Sequence, residues 1–430
     1  MGMSKFQIIF TAIFGLFIIV GVFIFAFSGR GSSNKTVVTV WGHIPQSSFS
    51  EAVYKLPIRD DKTLEIRYVY KNPADFERDF LEALAGGSGP DIVILAAEDI
   101  MRYRNMLFLI PYQSYAERTF KDTFIEAGEI FLARDGFFAL PFLVDPMVMY
   151  WNRDMFSKVS IAEPPRYWDE FFELSKKITV KDGSLNITKA TLPLGEYENV
   201  KHAKDILLSL IFQAGNVNLV RADSTGYKVN LLDLSGKQIT PSTAALNFFT
   251  EFSNPSKVHY SWNRALPLSE NMFTSGDLAL YFGYASERAL IRLKNPNLNF
   301  EVAAMPQSRA GERPVVYGRV KGLAVTRNTK NLSASFRIVS ALTSQSAIDI
   351  FSQVTNLPPV RRDLIARGPR SGSEPLFYQA ALISKGWLDP SQAGSGRIFK
   401  EMIESITGGR VRTDEAIAKA QQELNLILSK

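Results

Sequence analysis

Cysteine is absent, and the three histidines, His43, His202 and His259, stand far apart in the chain. None lies at metal-ligand spacing from another, so no metal site is expected. No Gly-x-Ser-x-Gly elbow is present. Carboxylates are plentiful, and Asp145 and Glu98 are of the type that forms a glycosidase pair, but residue order does not set their separation. Gly86-Gly87-Ser88-Gly89-Pro90 has the glycine density of a phosphate loop. It lacks the Gly-Lys-Ser/Thr ending and precedes a strand instead of opening a helix, so it reads as a turn. The chain is therefore read as a non-enzyme that needs no cofactor.

Such groups need a scaffold, and 430 residues are too many for one small core, so two domains are expected. Hydrophobic residues make up 46% and charged residues 21%, the balance of a globular protein. The formal charge of +6 is spread along the chain, with no basic run of the kind that binds nucleic acid. Ile8 to Phe27 is apolar apart from Thr11 and carries no charge. As a helix it would span ~30 Å, the thickness of a hydrocarbon core. It is longer than a signal-peptide apolar region of about 7–15 residues, so an uncleaved anchor is preferred over a signal cleaved near Ala26-Phe27-Ser28. Gly29–Lys35 reads as a flexible tether.

Thr36–Trp41 and Thr63–Tyr70 are β-branched and aromatic runs that read as strands, and Asp91–Leu95 is a continuous apolar strand. Asn72-Pro73 opens a helix between them, with Phe76, Phe80 and Leu84 on its core face. Strand, helix, strand with unbroken apolar strands predicts a parallel sheet covered on both faces. Ligands of open α/β sheets sit beyond the carboxyl ends of strands, which marks Trp41 and the Glu98-Asp99 pair. Val315–Arg327 reads as a strand pair. Trp168, Phe171, Phe172 and Ile178 form one apolar helical face, so Trp168 is read as core.

Several short motifs recur in a fixed order. Leu140-Pro141 is followed by Tyr150-Trp151-Asn152-Arg153-Asp154, then by Pro164-Pro165-Arg166-Tyr167-Trp168-Asp169-Glu170. Gly89-Pro90-Asp91 precedes them. Phe273, Gly276, Ala279 and Leu280, then Leu342-Thr343-Ser344, Asn356-Leu357-Pro358 and Gly409–Ala420 follow. This order resembles the extracellular solute-binding proteins of ABC importers, in particular the sugar-binding family that includes maltose-binding protein. The inserted Trp151 and Tyr167 in place of Thr are mild departures. The resemblance runs from Thr36 to Lys430.

The resemblance implies an α/β, two-lobed periplasmic-binding-protein-like fold of type II behind the N-terminal transmembrane helix. Residues 1–35 would be anchor and tether, 36–141 plus 306–353 lobe 1, and 142–305 plus 354–430 lobe 2. Hinges are expected near Pro141–Pro146, Met305-Pro306 and Gln353–Leu357. The implied role is an extracytoplasmic, membrane-anchored monomer that captures a solute, a sugar, and delivers it to ABC permease subunits. A glycan-acting enzyme and a surface sensor or adhesion module are the competing readings.

Sugar recognition needs aromatic faces for the apolar side of a pyranose and planar polar groups for its hydroxyls. Trp41, at a strand end, fits core or cleft equally. Either Tyr150 or Trp151 covers a sheet edge or meets the cleft, and Trp151 is retained as a ligand contact. Trp262, in the polar loop Ser261–Arg264, is expected in the cleft, as is Tyr284 by its motif position. Glu98 and Asp99 are expected as ligand acceptors, with a helix N-terminus as the alternative use. Asp145 follows the first crossover, where the family places a ligand-contacting acid. Arg319 is expected to be a plain surface residue.

Overall fold

The computed structural model describes residues 35–223, 226–234, 236–369 and 374–429. The expected membrane segment at 8–27 lies outside the described residues. Among the described residues no helix is long and apolar enough to cross a membrane.

Strand β1 (Thr36–Gly42) pairs in parallel with β2 (Leu64–Tyr70), Val40 opposite Tyr68. Helix α1 (Phe76–Ala85) follows, burying Phe76 and Phe80. Asn72 lies outside the helix, its side chain accepting from the Ala74 amide in an Asx turn. The glycine-rich loop then turns the chain into β3 (Ile92–Ala96), which pairs in parallel with β1. The expected parallel unit is therefore present, and the carboxyl ends of β1 and β3 lie at one edge.

Strand β4 (Ala139–Asn152) has 14 residues. At ~3.3 Å per residue it is about 45 Å long, enough to traverse two cores. Its first half, through Val144, lies in a core built on β1–β3. From Met147 onward it lies in a second core. Helix α2 (Ala203–Gln213), β5 (Leu280–Tyr284) and β6 (Phe300–Ala303) belong to that second core, and β5 and β6 both pair antiparallel with β4. Strand β7 (Val316–Val325) returns alongside β4 and reaches β3, giving the sheet order β5-β4-β7-β3-β1-β2.

The first chain crossing between cores falls at Pro141–Pro146, as expected. The other two do not fall where the sequence suggested. Met305, Val315, Val316 and Tyr317 all pack in the second core, so the chain crosses at Gly318-Arg319, inside β7. Val315–Arg327 is thus mostly one strand, not a pair, because β4 and β3 pair with it on both sides. Helix α3 (Gln345–Thr355) ends on Asn356 in the left-handed conformation, φ 55°. That turn keeps the chain on the first core, where Val360 and Leu364 are buried. The core of lobe 1 accordingly includes residues expected in lobe 2, and 306–317 packs with lobe 2. From Phe377 to Leu388 the chain touches both cores, Ala381 packing in the first and Phe377, Ala380 and Trp387 in the second, and in the second core α4 (Gln392–Thr407) and α5 (Thr413–Leu428) pack on each other.

Gly322 sits where the β4–β7 register shifts. An added Cβ there would meet the Ala139 Cβ at 2.7 Å and the Phe131 ring at 2.9 Å. Gly322→Val should therefore lower stability by ~1–3 kcal/mol in urea unfolding, the usual cost of overpacking. Unchanged stability would mean that the two strands do not approach this closely.

Candidate functional site

Alternation along β7 puts Tyr317, Arg319 and Lys321 on one face, with Val316, Val320 and Gly322 between them buried. Asp145 of β4 stands directly opposite Arg319 in the register, on the same face. Ala96, the last residue of β3, stands opposite Lys321. Two residues beyond Ala96 comes Glu98, and then Asp99. The carboxyl end of β3, the crossing of β4 and the crossing of β7 thus deliver acids and bases to one place between the cores.

Arg319 was expected on the plain surface, and it is not there. Its Nη2 donates to Asp205 Oδ2 at 2.9 Å, and its guanidinium lies 4.0 Å from the centre of the Tyr284 ring. The Tyr284 hydroxyl donates to the same Asp205 oxygen at 2.6 Å. Arg319 still keeps 44% of its side-chain surface accessible, while Asp205 keeps 8%. The cation is therefore reachable from solvent with its counter-charge sealed beneath it.

Glu98 is 8% exposed, and its Oε1 accepts from the Tyr317 hydroxyl at 2.6 Å. Burial pushes its carboxyl up. Asp99 accepts from Gln392 Nε2 of α4 at 3.1 Å, a bond from lobe 1 to lobe 2. Burial and the neighbouring Glu98 charge push Asp99 up to about 7. Asp145 accepts from the Ser286 amide at 3.0 Å and its hydroxyl at 2.6 Å. Burial raises this carboxyl too. His43, one residue past β1, bonds the Lys71 carbonyl through Nδ1 at 2.9 Å. Burial lowers its pKa, and Lys321 adds to that.

Beside this cluster His202 caps α2 in the left-handed conformation, φ 65°, with its ring edge on Tyr284. Its Nε2 bonds Glu287 at 2.6 Å. Burial would raise Glu287, but His202, Tyr281 and Lys201 outweigh it and hold the carboxyl at about 2. At the rim, Glu126 of lobe 1 takes both Arg313 nitrogens, at 2.6 and 2.8 Å, and Lys385 at 3.0 Å. Those cations hold it at about 2.

The structure brings Glu98, Asp99, Asp145 and Tyr284 to the same boundary. Trp41 ends β1 near this edge, 8% exposed, with the Lys71 ammonium 3.9 Å from its ring centre. Trp262 is not at the boundary: it is fully buried in lobe 2, with Nε1 donating to Asn199 at 3.1 Å. The polar loop around it folds over it, because Asn199 also holds the carbonyls of Asn263 and Leu266. Trp151 lies six residues beyond Asp145, ~20 Å along β4. It is 9% exposed, packs edge-on against Phe156, and lines a cavity of ≈590 Å³ with Pro164, Pro165 and Tyr167 on lobe 2. Tyr150 is fully buried, its hydroxyl on the Tyr284 carbonyl.

The reading of the sequence missed Asp205, Tyr317, Lys321, His202 and Gln392. One signal for Asp205 was available, since it is an acid immediately before a mostly apolar helical run, Ile206–Phe212.

Trp262→Ala should cost ~3–5 kcal/mol in thermal or urea unfolding, the range for a buried aromatic. A change under 1 kcal/mol would put the ring at the surface. Asp99 has a raised folded pKa, so the folded state holds a proton that the unfolded chain releases above about 3.8. Stability from this group is therefore lost as pH rises from about 4 to 7, and is level above that. The difference in melting temperature between Asp99→Asn and wild type should favour the variant increasingly across that window. A difference that does not vary with pH would refute the buried placement of Asp99.

Comparison with known proteins agrees on architecture. The maltotriose-binding protein of Pyrococcus abyssi is 23% identical over 379 residues, covering 84% of this chain and 75% of that one. The cyclic alpha-maltosyl-1,6-maltose binding protein from Arthrobacter globiformis superposes with a TM-score of 0.74 at 16% identity, covering 92% of this chain and 99% of that one. The GacH receptor of Streptomyces glaucescens, solved unliganded and with acarbose, gives 0.67 at 18% identity, covering 92% and 99%. The family model for bacterial extracellular solute-binding proteins matches residues 59–375, well over half of the sequence, and this chain belongs to that family.

Proposed function

We propose that the chain is a membrane-anchored receptor that captures a carbohydrate between its two lobes and delivers it to an ABC permease. The observation that carries this reading is the polar cluster at the lobe boundary. Arg319, Lys321, Asp145, Glu98 and Asp99 converge where two strands pass from one core to the other. A cluster of this polarity at that position has little structural purpose, since apolar packing would join the lobes more cheaply. The relatives named for maltotriose, cyclic maltosyl-maltose and acarbose support a carbohydrate ligand. The apolar 8–27 stretch supports an anchor.

The two strand crossings are the natural pivots, because rotation there changes few core contacts. Asp99–Gln392 and Glu126–Arg313 join the lobes across the boundary. Ligand binding favours the closed state because only that state contacts ligand from both sides. No chemistry on the ligand is required; the carboxylates act as hydrogen-bond acceptors, and the chain works as a monomer.

A thermal-shift panel of mono- and oligosaccharides should give at least one stabilising ligand with no product formed. Turnover of any panel member would overturn the receptor reading in favour of an enzyme. Arg319→Met should weaken that ligand roughly tenfold or more, the value of one charge-assisted contact, in a protein that still folds by circular dichroism but melts lower, because Asp205 loses its counter-charge. Unchanged affinity in this variant would move the site away from the strand crossing.

A further inference from the structure

A neutral pyranose is held largely by stacking on aromatic faces, and the rings expected from the sequence to offer them are buried, distant or already covered. Trp262 and Tyr150 are sealed in the lobe 2 core. Trp151 is at the far end of β4. One face of Trp41 carries the Lys71 ammonium and its edge meets Phe80. The Tyr284 face carries Arg319, and the ring makes a T-shaped contact with His202.

The charges tell a different story. Most ionisable groups at the boundary already have partners. Asp145 has Ser286, Asp99 has Gln392, and Asp205 has Tyr284 and Arg319. Lys204 is held by Asp389 and Ser395, and Lys71 by Asp79. Two groups stand apart. Glu98 Oε2 is buried with no hydrogen-bond partner. Lys321 makes no hydrogen bond or ion pair among the described residues. The two do not pair with each other, although Lys321 stands opposite Ala96, two residues before Glu98. Burial raises the Glu98 carboxyl and lowers the Lys321 ammonium, outweighing Arg319 near the first and Asp145 and Glu98 near the second.

An unpaired buried oxygen is costly unless something supplies its hydrogen bond. A carboxyl with one unpartnered oxygen, near an ammonium that makes no hydrogen bond, is complementary to a molecule carrying the reverse pair. Arg319, on the same strand face as Lys321 and open to solvent, adds positive potential on the side where the anion would lie.

We propose that the solute taken between the lobes is zwitterionic: a sugar-sized molecule whose amine meets the free Glu98 oxygen and whose carboxylate meets Lys321 beside Arg319. The proposal rests on the reading of the lobe boundary as the solute site. It differs from that reading in excluding a neutral maltodextrin as the preferred ligand.

Calorimetric titration of the full-length protein in mild detergent with five probes tests it. Glucose is neutral, glucosamine carries only an amine, glucuronic acid only an acid, muramic acid both, and maltotriose is a neutral oligosaccharide. Muramic acid should bind about 10- to 100-fold tighter than either singly charged probe, the span expected for one charge-assisted contact. Glu98→Gln should erase the gap between muramic acid and glucuronic acid. Lys321→Met should erase the gap between muramic acid and glucosamine. If either variant fails to fold by circular dichroism, the ranking of the five probes on the unaltered protein decides. Maltotriose binding tighter than muramic acid would overturn the zwitterion and leave the solute site standing. Binding of none of the five probes and of no other sugar would overturn the site and the zwitterion together.

Discussion

Two long strands pairing through both cores is the constraint on which the rest depends. β4 and β7 run antiparallel past the lobe boundary with Asp145 opposite Arg319 and Pro146 opposite Gly318. Because side chains alternate across a strand, the residues of β7 must serve two masters. Val316 and Val320 continue the cores on either side, while Tyr317, Arg319 and Lys321 face the boundary. A one-residue slip would bury Arg319 and Lys321 in place of valines. Gly318 and Gly322 make close approach possible: an added Cβ would meet Ser384 at 2.5 Å in one case and Ala139 at 2.7 Å in the other.

The ionised groups gathered there are held by hydrogen bonds more than by ion pairs. Asp205 accepts from both Tyr284 and Arg319, Glu98 from Tyr317, and Asp145 from Ser286. Each bond satisfies a polar group that burial would otherwise leave without a partner. The upward shifts of Glu98, Asp99 and Asp145 all have burial as their largest cause, so three acids share one poorly solvated space with Arg319 and Lys321. Perturbation of several groups at one place is a mark of binding sites. The same arrangement explains how Arg319 keeps its accessibility while its partner does not.

Much of the scaffold was legible in the residues themselves. β1 and β3 are runs rich in Val and Ile without polar alternation, as expected of buried parallel strands, while β2 alternates Leu64, Ile66 and Tyr68 with Glu65 and Arg67 at the sheet edge. Gly276 of the Phe273–Leu280 motif ends a helix, Ser269–Ser275, at φ 84°, a conformation that glycine adopts readily. The first crossing at Pro141–Pro146 was visible because its motif is local. The later crossings were not, because Gly318-Arg319 lies in mid-strand and nothing in a strand's composition says which core it is leaving. Asn356-Leu357-Pro358 resembled a hinge but is a helix cap, a local structure that either lobe can accommodate.

The candidate site divides in the same way. The sequence alone determined that acids follow β3 and the first crossing, since strand ends and their neighbours are local properties; it also determined the family. Only the tertiary structure decided which side chains meet. Asp205 and Arg319 are 114 residues apart, Tyr317 and Glu98 219, and their contacts depend on both lobes being folded. Trp262 shows the converse. Its loop is polar, yet Asn199, 63 residues away, folds that loop over the ring and makes it core. Residue type fixes what a side chain can do, and the path of the chain through two cores fixes whether it faces solvent, a partner or a ligand.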